Sequence, residues 1–214
     1  KAEVFLIDKP GAEQSVIIAG HVAPPTNNPR EPAINALNAA LGGMFTSRIN
    51  MNLREDKHWS YGARTMFLDA EHQRPFITLT SVQTDKTSES MAEIQKELTA
   101  VVGDRPITEE ELEKAKSSLT LTLPGSRETR FALGTDMERI ITYGLPDDYF
   151  LTYPEKVRAL TPAAIADTAK SILHPGSVTW VIVGDLSKIK AKVEALGLGP
   201  VSVVAAEPGP SATR

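Results

Sequence analysis

The sequence predicts an α+β domain: a mixed, mostly antiparallel sheet with helices packed on one face. Strand-like runs come in adjacent pairs early in the chain, a long block of helical periodicity follows, and one nearly continuous apolar run arrives late. No short-period repeat interrupts that order, which excludes solenoids and propellers.

Residues 3–7 (EVFLI) and 15–22 (SVIIAGHV) are rich in β-branched and aromatic side chains and read as two strands, with Lys9, Pro10 and Gly11 in the loop between them. Residues 24–29 (PPTNNP) form an exposed loop whose prolines forbid regular structure. From 31 to 41 the pattern turns helical, with Ile34, Leu37 and Leu41 on one face, and Gly42 or Gly43 is expected to stop that helix in a left-handed conformation. Thr46 or Ser47 can cap the next helix, whose predicted buried stripe is Phe45, Ile49 and Leu53 and which ends in Arg54, Glu55, Asp56 and Lys57. Residues 61–68 and 75–82 read as a strand pair around a polar turn over 69–74.

Helices dominate the remainder. Met91, Ile94, Leu98, Val101 and Val102 form an apolar stripe after Thr87, and Thr108 with Glu111 makes a capping box for a helix burying Leu112, Ala115 and Leu119. Leu133, Met137, Ile140 and Ile141 mark another helix, stopped by Gly144. Thr161 followed by Pro162 opens a helix to about Leu173. Residues 178–183 (VTWVIV) suit a strand buried on both faces or at the sheet centre, and 187–196 a short helix stopped by Gly197. The expected domain spans 1–204, with 205–214 a Pro/Gly/Ser-rich disordered tail.

Composition narrows the chemistry. With 41% hydrophobic and 23% charged residues over 214 positions, a core can form without disulfide or metal. Absence of cysteine removes thiolate catalysis and cysteine zinc sites, yet leaves the compartment open. A net charge of −4 without a basic face argues against nucleic acid or an anionic membrane as partner. No apolar run approaches the roughly 20 residues of a membrane-spanning helix. The sequence opens on Lys1 and enters a strand directly, which we read as a piece of a longer polypeptide.

The four histidines make no H-E-x-x-H, and the nearest approach to H-x-x-E-H, Leu68 to His72, has leucine at the first ligand position and lies on a strand or turn. No G-x-S-x-G elbow or phosphate loop is present, and Glu109, Glu110 and Glu111 suit a capped, solvated helix start. We therefore expect neither a catalytic residue nor a metal ligand in this chain. Arg54 and Tyr61 remain: a guanidinium fork can grip a carboxylate or peptide carbonyl, and a phenol seven residues on could donate to the same group. Spacing alone equally allows Arg54 to pair with Glu55 or Asp56 at the surface and Tyr61 to pack as a half-buried aromatic.

The run LNAALGGMFTSRINMNLREDKHWSYG resembles the second-domain signature of the insulinase/pitrilysin/mitochondrial-processing-peptidase family. VFLIDKPGAEQSVIIAG, GLPDDYFLTYPEKVRALTP and VIVGDL resemble the family in the same order, so the likeness spans nearly the whole chain. It implies a two-half clamshell in which one half carries H-x-x-E-H, binds zinc and hydrolyses peptide bonds, while the other keeps the fold without the ligands. Ile34, Asn35, Ala36, Leu37 and Asn38 stand where a catalytic half has its motif, so the chain matches the non-catalytic C-terminal domain. The implied cofactor is zinc in the partner half and none here. The implied partners are a zinc-bearing half, on the same polypeptide or a separate subunit, and a peptide held by edge-strand pairing. In bacterial members this half gives an Arg and a Tyr to the substrate, which map onto Arg54 and Tyr61; His58 replaces a usual glycine in the turn between them. The resemblance alone leans towards a bacterial periplasm, and it also covers inert assembly subunits like the core proteins of respiratory complexes.

Overall fold

The computed structural model describes residues 1–205, so the predicted tail, apart from Ala205, lies outside the described residues. Six strands form one sheet in the order β3-β4-β2-β5-β1-β6. They are β1 (Glu3–Asp8), β2 (Gln14–Ala23), β3 (Ser60–Phe67), β4 (Arg74–Gln83), β5 (Thr179–Gly184) and β6 (Val201–Val204). β2 pairs antiparallel with β4 and β5, and β3 antiparallel with β4; β1 is parallel to β5 and β6. The sheet is thus mixed and mostly antiparallel, as the strand pairs imply.

The late apolar run lies between β1 and β2, where Trp180 and Ile182 are fully buried. β6 is an edge strand that the sequence reading misses, because four residues beside a Pro/Gly tail carry no readable alternation. Period-two alternation sets the layers. Val4, Leu6, Ile17, Ala19, Trp180 and Ile182 face the helices and are buried, while Phe5, Ile7, Val16, Ile18, Val181 and Val183 on the opposite face are half-buried.

The helices are α1 (Glu31–Asn38), α2 (Arg48–Asn50), α3 (Thr87–Val102), α4 (Glu109–Leu121), α5 (Leu123–Ser126), α6 (Arg130–Tyr143), α7 (Tyr149–Arg158), α8 (Pro162–Ile172) and α9 (Leu186–Ala195). α1 and α2 each run on into a π-helical segment, Ala39–Gly43 and Met51–Asp56. Thr108 and Glu111 form the capping box, and Gly144 ends α6 at φ 58°. Glu111 is more than a solvated terminus, since its carboxylate also takes two 2.6 Å hydrogen bonds from Arg48.

Tertiary packing overrides the local reading in three places. Met91, Ile94, Leu98 and Val101 are buried as expected, but the α6 stripe is not: Leu133, Met137 and Ile141 are exposed. The loop over 24–29 is irregular, yet Thr26 is fully buried, and its hydroxyl accepts a hydrogen bond from the Ala70 backbone N–H. Arg74, placed by sequence in a polar turn, begins β4 and is buried in a bidentate pair with Glu31 of α1.

Near the end of β2, the backbone N–H of His174 donates to Nε2 of His21 at 3.3 Å. Nδ1 must therefore carry the ring proton, which it donates to the Val22 carbonyl at 3.0 Å. Burial lowers the His21 pKa below its ordinary 6.5; the Val22 bond opposes that shift and His174 adds to it. Because the folded state disfavours the proton, the unfolded chain binds more of it just below pH 6.5. Stability is therefore full above that pH and falls as pH drops through the window beneath it. Urea unfolding at about pH 7.5 and about pH 5 is expected to show this loss, diminished in His21→Gln. An unchanged difference in that variant would assign the loss to other groups.

Candidate functional site

The site begins with a packing constraint. A Cβ on Gly42 would lie 2.4 Å from Thr65 Oγ1 and 2.6 Å from the Thr65 backbone nitrogen. The end of α1 thus rests directly on β3, which only glycine allows. Neither Gly42 nor Gly43 adopts the expected left-handed conformation: Gly42 is needed for close approach, and the turn into Met44 is extended. Ser47 does sit at the start of α2, but its hydroxyl donates backward to the Met44 carbonyl at 2.5 Å instead of capping the helix.

Since the chain is not helical from Met44 to Ser47, the apparent stripe of Phe45, Ile49 and Leu53 divides. Ile49 and Leu53 are buried, whereas Phe45 is 60% exposed. On the facing side, β3 bulges between Ser60 and Ala63, which leaves Tyr61 89% exposed. The two sides enclose an open groove of about 640 Å³, lined by Gly42, Gly43, Phe45, Asn50, Arg54 and Tyr61 among others.

Arg54 and Tyr61 therefore share one concave surface. Arg54 stacks its guanidinium over the Phe45 ring at 4.4 Å, and its Nε lies 3.4 Å from Glu55. That ion pair is exposed and of little energetic weight. The surface pairing foreseen for Arg54 is thus present, but the half-buried packing foreseen for Tyr61 is not. His58 takes the left-handed conformation at φ 57°, with Nδ1 3.1 Å from the Arg54 carbonyl. A non-glycine residue in that conformation costs about 1–2 kcal/mol.

Asn50, which sequence reasoning missed, joins the two sides. It is buried, donates from Nδ2 to the Phe45 carbonyl at 2.6 Å, and accepts the Ala63 N–H on Oδ1 at 3.1 Å. No spacing rule marks such a residue, because both partners are backbone groups. The clamp also limits strand addition. β3 is an edge strand, but its Ala63 N–H is taken by Asn50 and Thr65 lies under Gly42. Tyr61, Gly62 and Arg64 are the exposed residues of this stretch, so the face that β3 offers here is made chiefly of side chains.

The residues of α1 at the place of the catalytic motif serve the core and the β3 contact. Ile34 and Leu37 are fully buried in the core, and Asn38 Oδ1 accepts the Thr65 hydroxyl at 2.8 Å. Glu71 and His72 are exposed in the β3–β4 turn. Among the described residues, no three histidine, cysteine, aspartate or glutamate side chains gather where they could hold a metal. No described helix is long and apolar enough to cross a membrane.

Solved structures share the fold. A peptidase M16 inactive domain from Pseudomonas fluorescens superposes with a TM-score of 0.80 at 20% identity, covering 86% of this chain and 44% of that one. A protease from Helicobacter pylori gives 0.77 at 16% identity, covering 85% and 43%. Complex III2 from Candida albicans gives 0.69 at 14%, covering 90% and 48%. The chain thus spans less than half the length of these three solved chains. No curated protein matches its sequence. The family model described as the peptidase M16 inactive domain matches residues 1–119, and the chain belongs to that family.

Proposed function

We propose that residues 1–204 are the non-catalytic half of an insulinase-like zinc metallopeptidase. They complete a peptide-binding chamber around a zinc-bearing half, carried on the same polypeptide or on a separate subunit. Arg54 and Tyr61 hydrogen-bond the peptide backbone or its terminal carboxylate, a guanidinium fork and a phenol acting together. Zinc in the other half supplies the Lewis acid and the activated water; this half binds and orients. One observation carries the reading: Arg54 and Tyr61 line the same open groove, and Tyr61 is too exposed to serve the core.

In the assembled enzyme, Arg54→Ala is expected to lower kcat/KM for an internally quenched peptide about 10- to 100-fold, the weight of a charge-assisted hydrogen bond. Unchanged kinetics would remove the assignment. The chain alone should cleave no peptide with or without added zinc, and metal-dependent cleavage by it would refute the whole reading.

A second reading, a catalytically inert assembly subunit, draws on the likeness to complex III2 and on the exposed apolar side chains of α6, Phe131 and Ile141 foremost. An H-x-x-E-H elsewhere in the parent polypeptide or in a neighbouring subunit decides for the peptidase.

A further inference from the structure

We propose that Phe45 is the positioning residue for Arg54, and that Asn50 fixes both to the side of the groove that carries Tyr61. The inference rests on the reading of Arg54 as a peptide contact. Four long bonds separate a guanidinium from its backbone, so an exposed arginine is held in one place only by what it touches. Among the described residues, the one ion pair of Arg54 is Nε to the neighbouring Glu55 at 3.4 Å, a contact between two exposed side chains. The ring of Phe45 is the larger constraint. Its centroid lies 4.4 Å from the Arg54 Cζ, within the reach of cation–π attraction.

Phe45 is itself 60% exposed, so core packing does not account for a phenylalanine at this position. Its backbone is fixed through the Asn50 amide, which bridges the Phe45 carbonyl and the Ala63 N–H. Ala63 follows the bulge that carries Tyr61. One buried amide therefore sets the distance between the platform under Arg54 and the strand bearing Tyr61. Cation–π contact consumes none of the guanidinium's five N–H donors, so a carbonyl or carboxylate of a peptide can still be gripped.

The test is a double-mutant cycle in the assembled enzyme, with an internally quenched peptide as probe. Phe45→Leu keeps an apolar side chain but removes the π face, and is expected to raise KM about 2- to 5-fold with kcat changed less. Phe45→Trp should restore KM, and thermal unfolding should place both variants beside the parent because the site is exposed. In an Arg54→Ala background, Phe45→Leu should have no further effect. Were it to cost as much there as alone, Phe45 would touch substrate directly and the positioning role would be overturned. A native KM in Phe45→Leu would overturn it too, while leaving the Arg54 assignment intact if Arg54→Ala still loses binding. If Arg54→Ala itself changes nothing, the functional reading fails and the positioning role falls with it.

Discussion

Replacing Arg74 with methionine is expected to cost about 3–5 kcal/mol of folding stability. Arg74 is 1% exposed, and its two terminal nitrogens engage the two carboxylate oxygens of Glu31, itself 2% exposed. Burial pushes the Glu31 carboxyl upward, with the hydrogen bond and charge of Arg74 pulling the other way. Without the guanidinium, an uncompensated carboxylate would face Asp69, which Arg139 also contacts at 2.9 Å. Such a loss is a large share of the 5–15 kcal/mol typical of a domain.

The mechanism distinguishes itself through a second variant. Arg74→Met combined with Glu31→Leu should recover most of the loss, because a buried ion pair replaced as a unit by apolar groups is often neutral. Urea unfolding of the two variants measures both. A single variant within about 1 kcal/mol of the parent would show that the pair is solvated and contradict its burial.

Gly42→Ala is the next largest expected effect. Alanine raises helix propensity by about 1 kcal/mol relative to glycine, so on an open helix the change would stabilise. Here the added methyl group meets Thr65 at 2.4 Å from its hydroxyl oxygen and 2.6 Å from its backbone nitrogen. The hydroxyl could turn away only by giving up Asn38, and the backbone nitrogen cannot turn at all. Overpacking of this kind costs about 1–3 kcal/mol or more, which outweighs the propensity gain. The variant should unfold at lower denaturant and, on the proposed function, weaken peptide binding in the assembled enzyme, since Gly42 lines the groove. A more stable Gly42→Ala variant would mean that α1 and β3 separate freely.

Much of this was legible beforehand because its causes are local. Thr108 with Glu111, Gly144, and the alternation in β1, β2 and β4 each act over a few residues, and each falls where the sequence places it. Phe45 misled because a four-residue spacing to Ile49 implies a shared helical face only if the helix has already begun, and it begins at Arg48. The α6 stripe misled for another reason. Periodicity shows that a face is apolar and says nothing of what covers it, and Leu133, Met137 and Ile141 are uncovered among the described residues.

The sequence by itself determined the fold class and most of the element order, missing β6, α5 and α7, and it placed Ile34 and Leu37 on the core face of α1. Only the tertiary structure decided that Arg54 and Tyr61 line one groove, that Asn50 clamps its sides, and that Arg74 meets Glu31 across 43 residues. The reason is one of range: propensity, capping and alternation act within a turn or two, whereas these contacts depend on where α1 and α2 come to rest against β3 and β4.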